Sequence, residues 1–254
     1  MGTVILVTSG KGGVGKSTLS ALLGQAFSTL GKRTLIVELD AGLRCLDLFL
    51  GFGEDVVFNL ADVFSGTCGA ADAMIRVPSF EGLYVLPAPA RADKPIPAER
   101  LAQACRSLSS AFDLVLVDAP AGVGPLVRAA ASAADRALIV TGADPLSSRD
   151  AYVTKELLTE AGCTDCRLVI NRVAPVGRTR KKLPDLDQII DRAKVRLIGV
   201  LPESEQIRSS LLQGKPLPPE SPEQQIFSAI AARLLGRNIP LIISEKSLQR
   251  RIYK

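Results

Sequence analysis

The stretch VILVTSGKGGVGKST, residues 4–18, decides the fold of this 254-residue chain. It opens with the apolar run Val4 to Val7, which is typical of a strand buried on both faces. Beyond the glycines, apolar residues recur at three- and four-residue steps from Leu19 to Leu30, which predicts a helix that ends at Gly31. A strand, a glycine-rich loop and a helix in this order predict the first unit of an α/β domain.

Residues 10–17 of this stretch match the phosphate-loop pattern G-x-x-x-x-G-K-[ST], in the strand-to-helix context that the pattern requires. The glycines let backbone N–H groups close round phosphate oxygens, and the start of the helix adds its positive end. We expect Lys16 at the β- and γ-phosphates, Ser17 on Mg²⁺ and Thr18 at the α-phosphate. The predicted ATP-binding residues of the loop are Gly10, Lys11, Gly12, Gly13, Val14, Gly15, Lys16, Ser17 and Thr18.

Further apolar runs alternate with helical patterns along the rest of the chain. The runs are Thr34 to Val37, Leu83 to Leu86, Leu114 to Val117, Ala137 to Val140, Leu168 to Ile170 and Leu197 to Val200. This alternation predicts right-handed crossovers between parallel strands. The predicted fold class is α/β: a single-domain P-loop NTPase with a mostly parallel twisted sheet and helices on both faces. The domain is expected over residues 1–237, with a basic tail over residues 238–254.

The composition limits the chemistry that the chain can perform. It has no histidine, which excludes histidine metal ligands and histidine general bases. Its five cysteines are scattered and odd in number, which favours a reducing compartment. The net charge of +5 permits contact with anionic partners without requiring it. No signal peptide or membrane-spanning stretch is apparent, so we expect a cytoplasmic protein.

A second lysine in the phosphate loop, Lys11, makes the segment resemble the deviant Walker A ATPases of the MinD/ParA class. In that class the first lysine reaches the ATP bound by the partner subunit, so the resemblance assigns a catalytic role in trans to Lys11. A cation there stabilises the charge on the transferred phosphoryl group, as an arginine finger does. The resemblance implies ATP and Mg²⁺ as cofactors and a homodimer in the ATP-bound state.

Two aspartates follow predicted strands near the phosphate loop. Asp40 lies in ELDAGLRCLD, residues 38–47, where a carboxylate can orient the attacking water or hold the Mg²⁺ shell. Asp118 lies in DLVLVDAPAG, residues 113–122, and ends a run like a Walker B strand, while Gly122 can turn its N–H towards the γ-phosphate. The predicted catalytic residues are Lys11, Lys16 and Asp40, and the predicted metal residues are Ser17, Asp40 and Asp118.

Two dipeptides at later strand ends resemble the adenine pocket of this class. Asn171-Arg172 and Pro202-Glu203 each follow an apolar run. The carboxyl ends of parallel strands share one edge of the sheet, where ligands bind in doubly wound folds. We therefore include these four residues among the predicted ATP-binding residues.

The pattern D-x-G-L-R-x-L-D from Asp40 to Asp47 is similar to the cell-division members of the class. This resemblance implies a regulator of bacterial division-site placement with two protein partners: an activator of hydrolysis, MinE-like or DivIVA-linked, and a MinC-like division inhibitor. The chain departs from the class at two positions. Glu38 stands where aspartate is frequent, and Cys45 stands where asparagine is frequent, which puts the detailed switch geometry in question.

The tail ends in SEKSLQRRIYK, residues 244–254. Leu248 and Ile252 share one face of a possible helix, and Arg250 and Arg251 add positive charge. Cell-division members of the class end in a basic amphipathic helix, so the resemblance implies reversible binding to an anionic membrane at the inner face of the cell membrane. A disordered tail or one docked on a partner protein is an equally good interpretation.

Other functions remain open on the sequence alone. A ParA-like protein that positions DNA or cargo would need a basic dimer surface, and the segment Gly42-Leu43-Arg44 argues against it, so nucleic acid is not expected. A relative that places flagella would carry the same motifs. An iron–sulfur or metal carrier could use Cys163-x-x-Cys166, but the pair precedes a strand away from where such carriers hold their cluster. A bacterial tyrosine kinase would need a tyrosine-rich tail.

Overall fold

The computed structural model describes residues 1–41, 44–53, 56–91, 95–174 and 186–241. Within them one sheet has the strand order β3-β4-β2-β5-β1-β6-β7-β8. The strands are β1 Thr3–Thr8, β2 Thr34–Glu38, β3 Ile75–Arg76, β4 Leu83–Leu86, β5 Leu114–Asp118, β6 Arg136–Gly142, β7 Cys166–Val173 and β8 Arg196–Pro202. The helices are α1 Lys16–Thr29, α2 Leu46–Leu50, α3 Leu60–Ser65, α4 Ala70–Ala73, α5 Ala98–Leu108, α6 Pro125–Ala133, α7 Pro145–Glu160, α8 Leu186–Ala193, α9 Glu205–Leu212 and α10 Pro222–Leu234.

Every predicted strand is present, and neighbouring strands are parallel except for the short edge strand β3, which runs antiparallel to β4. The predicted first helix is confirmed as α1, and Gly31 follows it with φ +74°. Strand β3 was not predicted because two residues carry too little periodicity to be recognised.

Helices cover both faces of the sheet, as predicted. Alternate strand residues contribute to two separate apolar layers: Leu6 and Val117 face one layer, while Ile5 and Leu116 face the other. The first layer packs against α5, α6, α7 and α8, and the second packs against α1 and α10. Burial on both faces is why the strands read as continuous apolar runs.

The carboxyl ends of the parallel strands meet at one edge. Val7 of β1 and Glu38 of β2 are both Cα partners of Asp118, the last residue of β5. This register brings the phosphate loop after β1 and the two acidic strand ends together. Among the described residues, no helix combines the length and apolar character needed to cross a membrane.

Candidate nucleotide-binding site

The phosphate loop connects β1 to α1 through two left-handed glycines. Gly13 has φ +74° and Gly15 has φ +101°, conformations that side chains rarely adopt. A Cβ atom on Gly15 would lie 2.2 Å from the Nδ2 of Asn171. That amide donates a 2.7 Å hydrogen bond to the carbonyl of Val14. Gly15 is therefore required both by its backbone angle and by the close approach of β7.

Lys16 is held inside this cradle. Its side chain is buried, and its Nζ donates a 3.1 Å hydrogen bond to the Oγ of Ser9, which in turn donates to the carbonyl of Lys11 at 2.6 Å. Burial lowers the pKa of Lys16, while the nearby charges of Asp118 and Asp40 oppose that shift. The structure thus places a cation directly beneath the loop that would receive phosphate, as the motif predicts.

Asp118 is fully buried at the end of β5 and is only half satisfied. Its Oδ1 accepts a 2.9 Å hydrogen bond from Ser20, whereas its Oδ2 has no well-formed hydrogen bond within the described residues. Burial raises its pKa to about 6, opposed by hydrogen bonds from Ser17 and Ser20. A buried, unpaired carboxylate oxygen beside the Ser17 hydroxyl fits the water shell of a Mg²⁺ ion held by Ser17.

The protein offers few direct metal ligands at this point. Among the described residues, no group of three or more acidic or cysteine side chains could hold a metal ion by itself. Asp40 follows β2 and is near enough for its charge to act on both Lys16 and Asp118. Mg²⁺ commonly keeps several waters and binds through one or two side chains plus substrate phosphates, which this arrangement suits.

Glu38, the last residue of β2, accepts hydrogen bonds from backbone N–H groups beside the site. Its Oε1 accepts hydrogen bonds from the backbone N–H groups of Cys45 and Leu46 at 3.1 and 3.2 Å, and its Oε2 accepts one from Ala88 at 3.2 Å. Burial raises its pKa to about 7. The longer side chain of glutamate therefore ties β2 to two neighbouring segments.

Cys45, the second departure from the class, lies in the same place. Its thiol contacts the Ser17 side chain, and burial raises the thiol pKa to about 11. The thiol stays protonated at neutral pH, so it contributes no charge to the metal position.

The backbone N–H of Gly122, which was expected to face the γ-phosphate, makes a different contact in the structure. This N–H donates a 2.9 Å hydrogen bond to the carbonyl of Ser9 and so is not free for a γ-phosphate. Gly122 has φ +86° and no neighbour that a Cβ would meet. The Gly122 N–H can contact a γ-phosphate only if this bond to Ser9 is exchanged.

Lys11 is paired within its own chain. Its Nζ lies 2.9 Å from the Oδ2 of Asp150 in helix α7, and the Lys11 side chain keeps 41% of its exposure. The lysine thus sits at the rim of the site while Lys16 lies inside it. A role for Lys11 in a partner's site requires it to leave Asp150.

The four predicted adenine-pocket residues do converge. Asn171, Arg172, Pro202 and Glu203 line one cleft of about 440 Å³ together with Thr18 and residues of α9. Asn171 uses both ends of its amide inside the protein, because its Oδ1 accepts from the N–H of Arg172 at 2.8 Å. In this structure it holds the phosphate loop, which is a different contact from the expected one to the base.

Three contributors were not predicted. Ser9 binds Lys16, Ser20 binds Asp118, and Asp150 binds Lys11. Ser20 could have been found, because it lies one helical turn after Ser17 on the same side of α1. Asp150 had no sequence signal, because only the tertiary fold brings α7 to the loop.

Two other predicted features lie elsewhere. Cys163 and Cys166 are buried, and the Sγ of Cys166 contacts the carbonyl of Cys163 at 3.6 Å. They are packed in the core, which argues against a cluster shared between subunits. The membrane residues Leu248, Arg250, Arg251 and Ile252 fall outside the described residues, as does the basic run 178–182.

A glycine cradle after the first strand, a buried lysine at the start of the helix and an aspartate at the end of a neighbouring strand define a P-loop nucleotide-binding protein. Residues 5–217 match the family model described as "CobQ/CobB/MinD/ParA nucleotide binding domain". The septum site-determining protein MinD of Bacillus subtilis is 35% identical over 97% of this chain and 94% of its own length.

Solved structures agree with this match. MinD of Aquifex aeolicus, solved in a MinC:MinD complex, superposes with a TM-score of 0.87 at 33% identity, covering 95% of this chain and 98% of that one. MinD of Pyrococcus horikoshii, solved with Mg-ADP, gives a TM-score of 0.83 at 30% identity over 92% and 96% of the two chains. The chain belongs to the MinD family of P-loop ATPases.

Proposed function

We propose that this protein is an ATP-dependent, dimerising switch of the MinD type that regulates division-site placement in bacteria and associates reversibly with the membrane. The observation that carries the proposal is the contrast between the two lysines of one loop. Lys16 is buried against Ser9 inside the cradle, while Lys11 lies exposed at its rim on Asp150. In this proposal Lys16 binds the chain's own ATP, and Lys11 acts on the ATP of a partner subunit.

Binding of ATP exchanges contacts that the structure already contains. The Lys16 ammonium leaves Ser9 for the β- and γ-phosphates, and the backbone N–H groups of the loop take the remaining phosphate oxygens. Gly122 gives up the Ser9 carbonyl so that its N–H can reach the γ-phosphate. Ser17, and Asp118 through water, would hold Mg²⁺, which would neutralise phosphate charge.

Hydrolysis then needs a second subunit. Asp40 orients the attacking water, and Lys11 leaves Asp150 to stabilise the transferred phosphoryl group across the dimer. Thr18 binds the α-phosphate, while Arg172, Pro202 and Glu203 hold the base. Asn171 joins them once its amide exchanges its bonds to Val14 and Arg172 for the base.

The proposed protein partners are suggested by those of related proteins. Aquifex aeolicus MinD has been solved with MinC, and we propose a MinC-like inhibitor together with an activator that is MinE-like or DivIVA-linked. We also propose that residues 1–237 form the ATPase domain and residues 238–254 a tail. Leu248, Arg250, Arg251 and Ile252 in that tail would attach the ATP dimer to the inner face of the membrane, since two weak tails together bind far more strongly than one.

The test measures ATP hydrolysis and vesicle pelleting by the full chain. Pelleting with vesicles that contain phosphatidylglycerol should require Mg-ATP, and the variant Leu248→Glu/Ile252→Glu should lose pelleting but keep nucleotide binding. ATP-dependent retention on duplex DNA without vesicle binding would instead support a ParA-like role. Equal pelleting with ADP and ATP would contradict the proposed switch.

A further inference from the structure

Five arginines meet at the amino-terminal end of β6, β7 and β8, at the opposite end of these strands from the nucleotide cleft. Arg136 begins β6, Arg196 begins β8, and Arg167 is the second residue of β7. Arg233 lies in the last turn of α10, and Arg237 follows the end of that helix. All five line one cleft of about 510 Å³, which we call the arginine cleft.

The positive charges of the arginine cleft are only partly balanced. Arg136 and Arg167 share one acid, since Arg136 Nε and Arg167 Nη2 lie 2.7 and 2.8 Å from the two oxygens of Asp165. Arg196 and Arg237 are exposed, and their side chains make no ion pair or hydrogen bond within the described residues. Arg196 is also the Cα partner of Arg167 in the sheet. Two like charges this close repel each other, and an anion bound between them would relieve that repulsion.

The start of the tail is fixed along the same cleft. Arg233 donates from Nε to the carbonyl of Ile239 at 2.8 Å, from Nη1 to that of Ile198 at 2.7 Å, and from Nη2 to that of Pro240. Ile239 and Leu241 line the cleft beside the arginines. The cleft therefore joins a surplus of guanidinium groups to an apolar wall at the point where the chain continues into the tail.

We propose that the arginine cleft binds the phosphate of an anionic phospholipid headgroup. A guanidinium group presents a planar fork of donors that matches phosphate oxygens, and Arg196 and Arg237 have their donors free. The apolar residues suit an amphiphile better than a bare phosphate ion. A single concave cleft suits one headgroup better than the extended backbone of a nucleic acid, which needs many phosphate contacts.

This inference rests on the membrane association proposed above and adds a headgroup site that belongs to the ATPase fold itself. The tail would supply apolar insertion, and the cleft would supply charge recognition. Because the cleft is remote from the phosphate cradle, changing its arginines should leave basal ATP hydrolysis unaltered.

The first experiment is vesicle pelleting with Mg-ATP, using phosphatidylcholine with and without phosphatidylglycerol. The variant Arg196→Gln/Arg237→Gln should bind phosphatidylglycerol vesicles about 30-fold more weakly, from the usual effect of two basic residues near an anionic surface. Arg76→Gln is the matched control, because it removes an exposed arginine from the opposite edge strand, β3, and should pellet like the parent. A double variant that binds like the parent overturns the headgroup site while leaving the proposed function intact.

The second experiment is independent of the tail. Calorimetric titration of the nucleotide-free full chain with soluble dihexanoyl phosphatidylglycerol should show binding that Arg196→Gln/Arg237→Gln weakens at least tenfold. Should the parent fail to pellet yet bind this lipid, the proposed membrane association fails and the cleft assignment stands.

Three further results would overturn the assignment. The short-chain lipid could show no binding, or inorganic phosphate could bind as tightly as the lipid, which would mean a site for free anions. Duplex DNA retained by the parent and lost by the double variant, without any difference between the two in lipid binding, would mean a nucleic-acid site.

Discussion

The two ends of the sheet treat charge differently. At the carboxyl end, Lys16 donates to Ser9 and Lys11 pairs with Asp150, so an arriving nucleotide must exchange existing contacts. At the amino end, Arg196 and Arg237 have no partner in the described structure. Ligand binding at the carboxyl end replaces existing contacts, which suits a conformational switch. Binding of an anion at the amino end only adds contacts, which suits a fixed attachment site.

The largest expected effect is on ATP hydrolysis, which should depend on the carboxyl end of the sheet and not on the amino end. Lys11→Ala should lower ATP hydrolysis by about 10³-fold, the scale of a cation supplied in trans, while a single subunit still binds ATP. Steady-state phosphate release measures the first quantity and fluorescent-nucleotide binding the second. Arg196→Gln should match the parent in both. If Lys11→Ala hydrolysed ATP at the parent rate, Lys11 would have no catalytic role distinct from that of Lys16.

The next effect concerns nucleotide affinity. Lys16→Ala removes the buried cation of the cradle and should weaken ATP binding by about 100-fold, as expected for loss of a charge-assisted phosphate contact in a desolvated site. Lys32→Ala, which removes a partly exposed lysine away from the loop, serves as the control in the same titration. Equal affinities of the two variants would place the phosphates elsewhere.

A smaller effect tests the shape of the cradle. Gly15→Ala should lower the unfolding free energy of the nucleotide-free chain by about 3 kcal/mol, because it combines a left-handed backbone with a clash against Asn171. Gly13→Ala should cost about 1 kcal/mol, since its Cβ would meet nothing within 4 Å. Urea unfolding measures both. Similar losses would mean that the contact with Asn171 is unimportant.

A further effect on stability is a pH dependence that comes from two carboxyl groups at the carboxyl end of the sheet. Burial raises the pKa of Glu38 from 4.5 to about 7 and that of Asp118 from 3.8 to about 6. The folded chain then holds these protons more tightly than the unfolded chain. Stability should therefore be greatest below pH 3.8 for these two groups and fall as the pH rises through 7.

Glu38 alone should account for about 3 kcal/mol of this loss between pH 4.5 and 7. Urea unfolding at pH 5 and pH 8 without nucleotide measures it. Glu38→Gln should have a shallower slope, while Arg196→Gln/Arg237→Gln should keep the parent slope. A stability that increases from pH 5 to pH 8 would show that neither carboxyl group is perturbed in this direction.

The sequence predicted the nucleotide end of the molecule much better than the amino end. Strand ends share an edge in a parallel sheet, so the positions of Asp118, Asn171 and Pro202 followed from knowing that each closes a buried run. The phosphate loop combines a fixed spacing with a fixed context, and it needed no tertiary information.

What escaped prediction depends on contacts between distant segments. The Lys11–Asp150 pair and the bond from Gly122 to Ser9 join parts of the chain with no common pattern. No signal in the sequence indicated the arginine cleft, because its members come from three separate strands and from the end of α10. Only the register of β7 with β8 sets Arg167 beside Arg196. From the sequence, Glu38 was interpreted only as a glutamate that keeps the charge of an aspartate. The structure shows that its side chain also accepts hydrogen bonds from three backbone N–H groups.

The central claim is that ATP brings two copies together so that Lys11 can act across the interface. Light scattering coupled to gel filtration, with Mg-ATP and with Mg-ADP, tests it on the parent, Lys11→Ala and Asp40→Ala. We predict that Asp40→Ala accumulates as an ATP-bound dimer, that Lys11→Ala remains monomeric, and that all three are monomeric with ADP. A Lys11→Ala variant that dimerises with ATP as readily as Asp40→Ala would contradict the account.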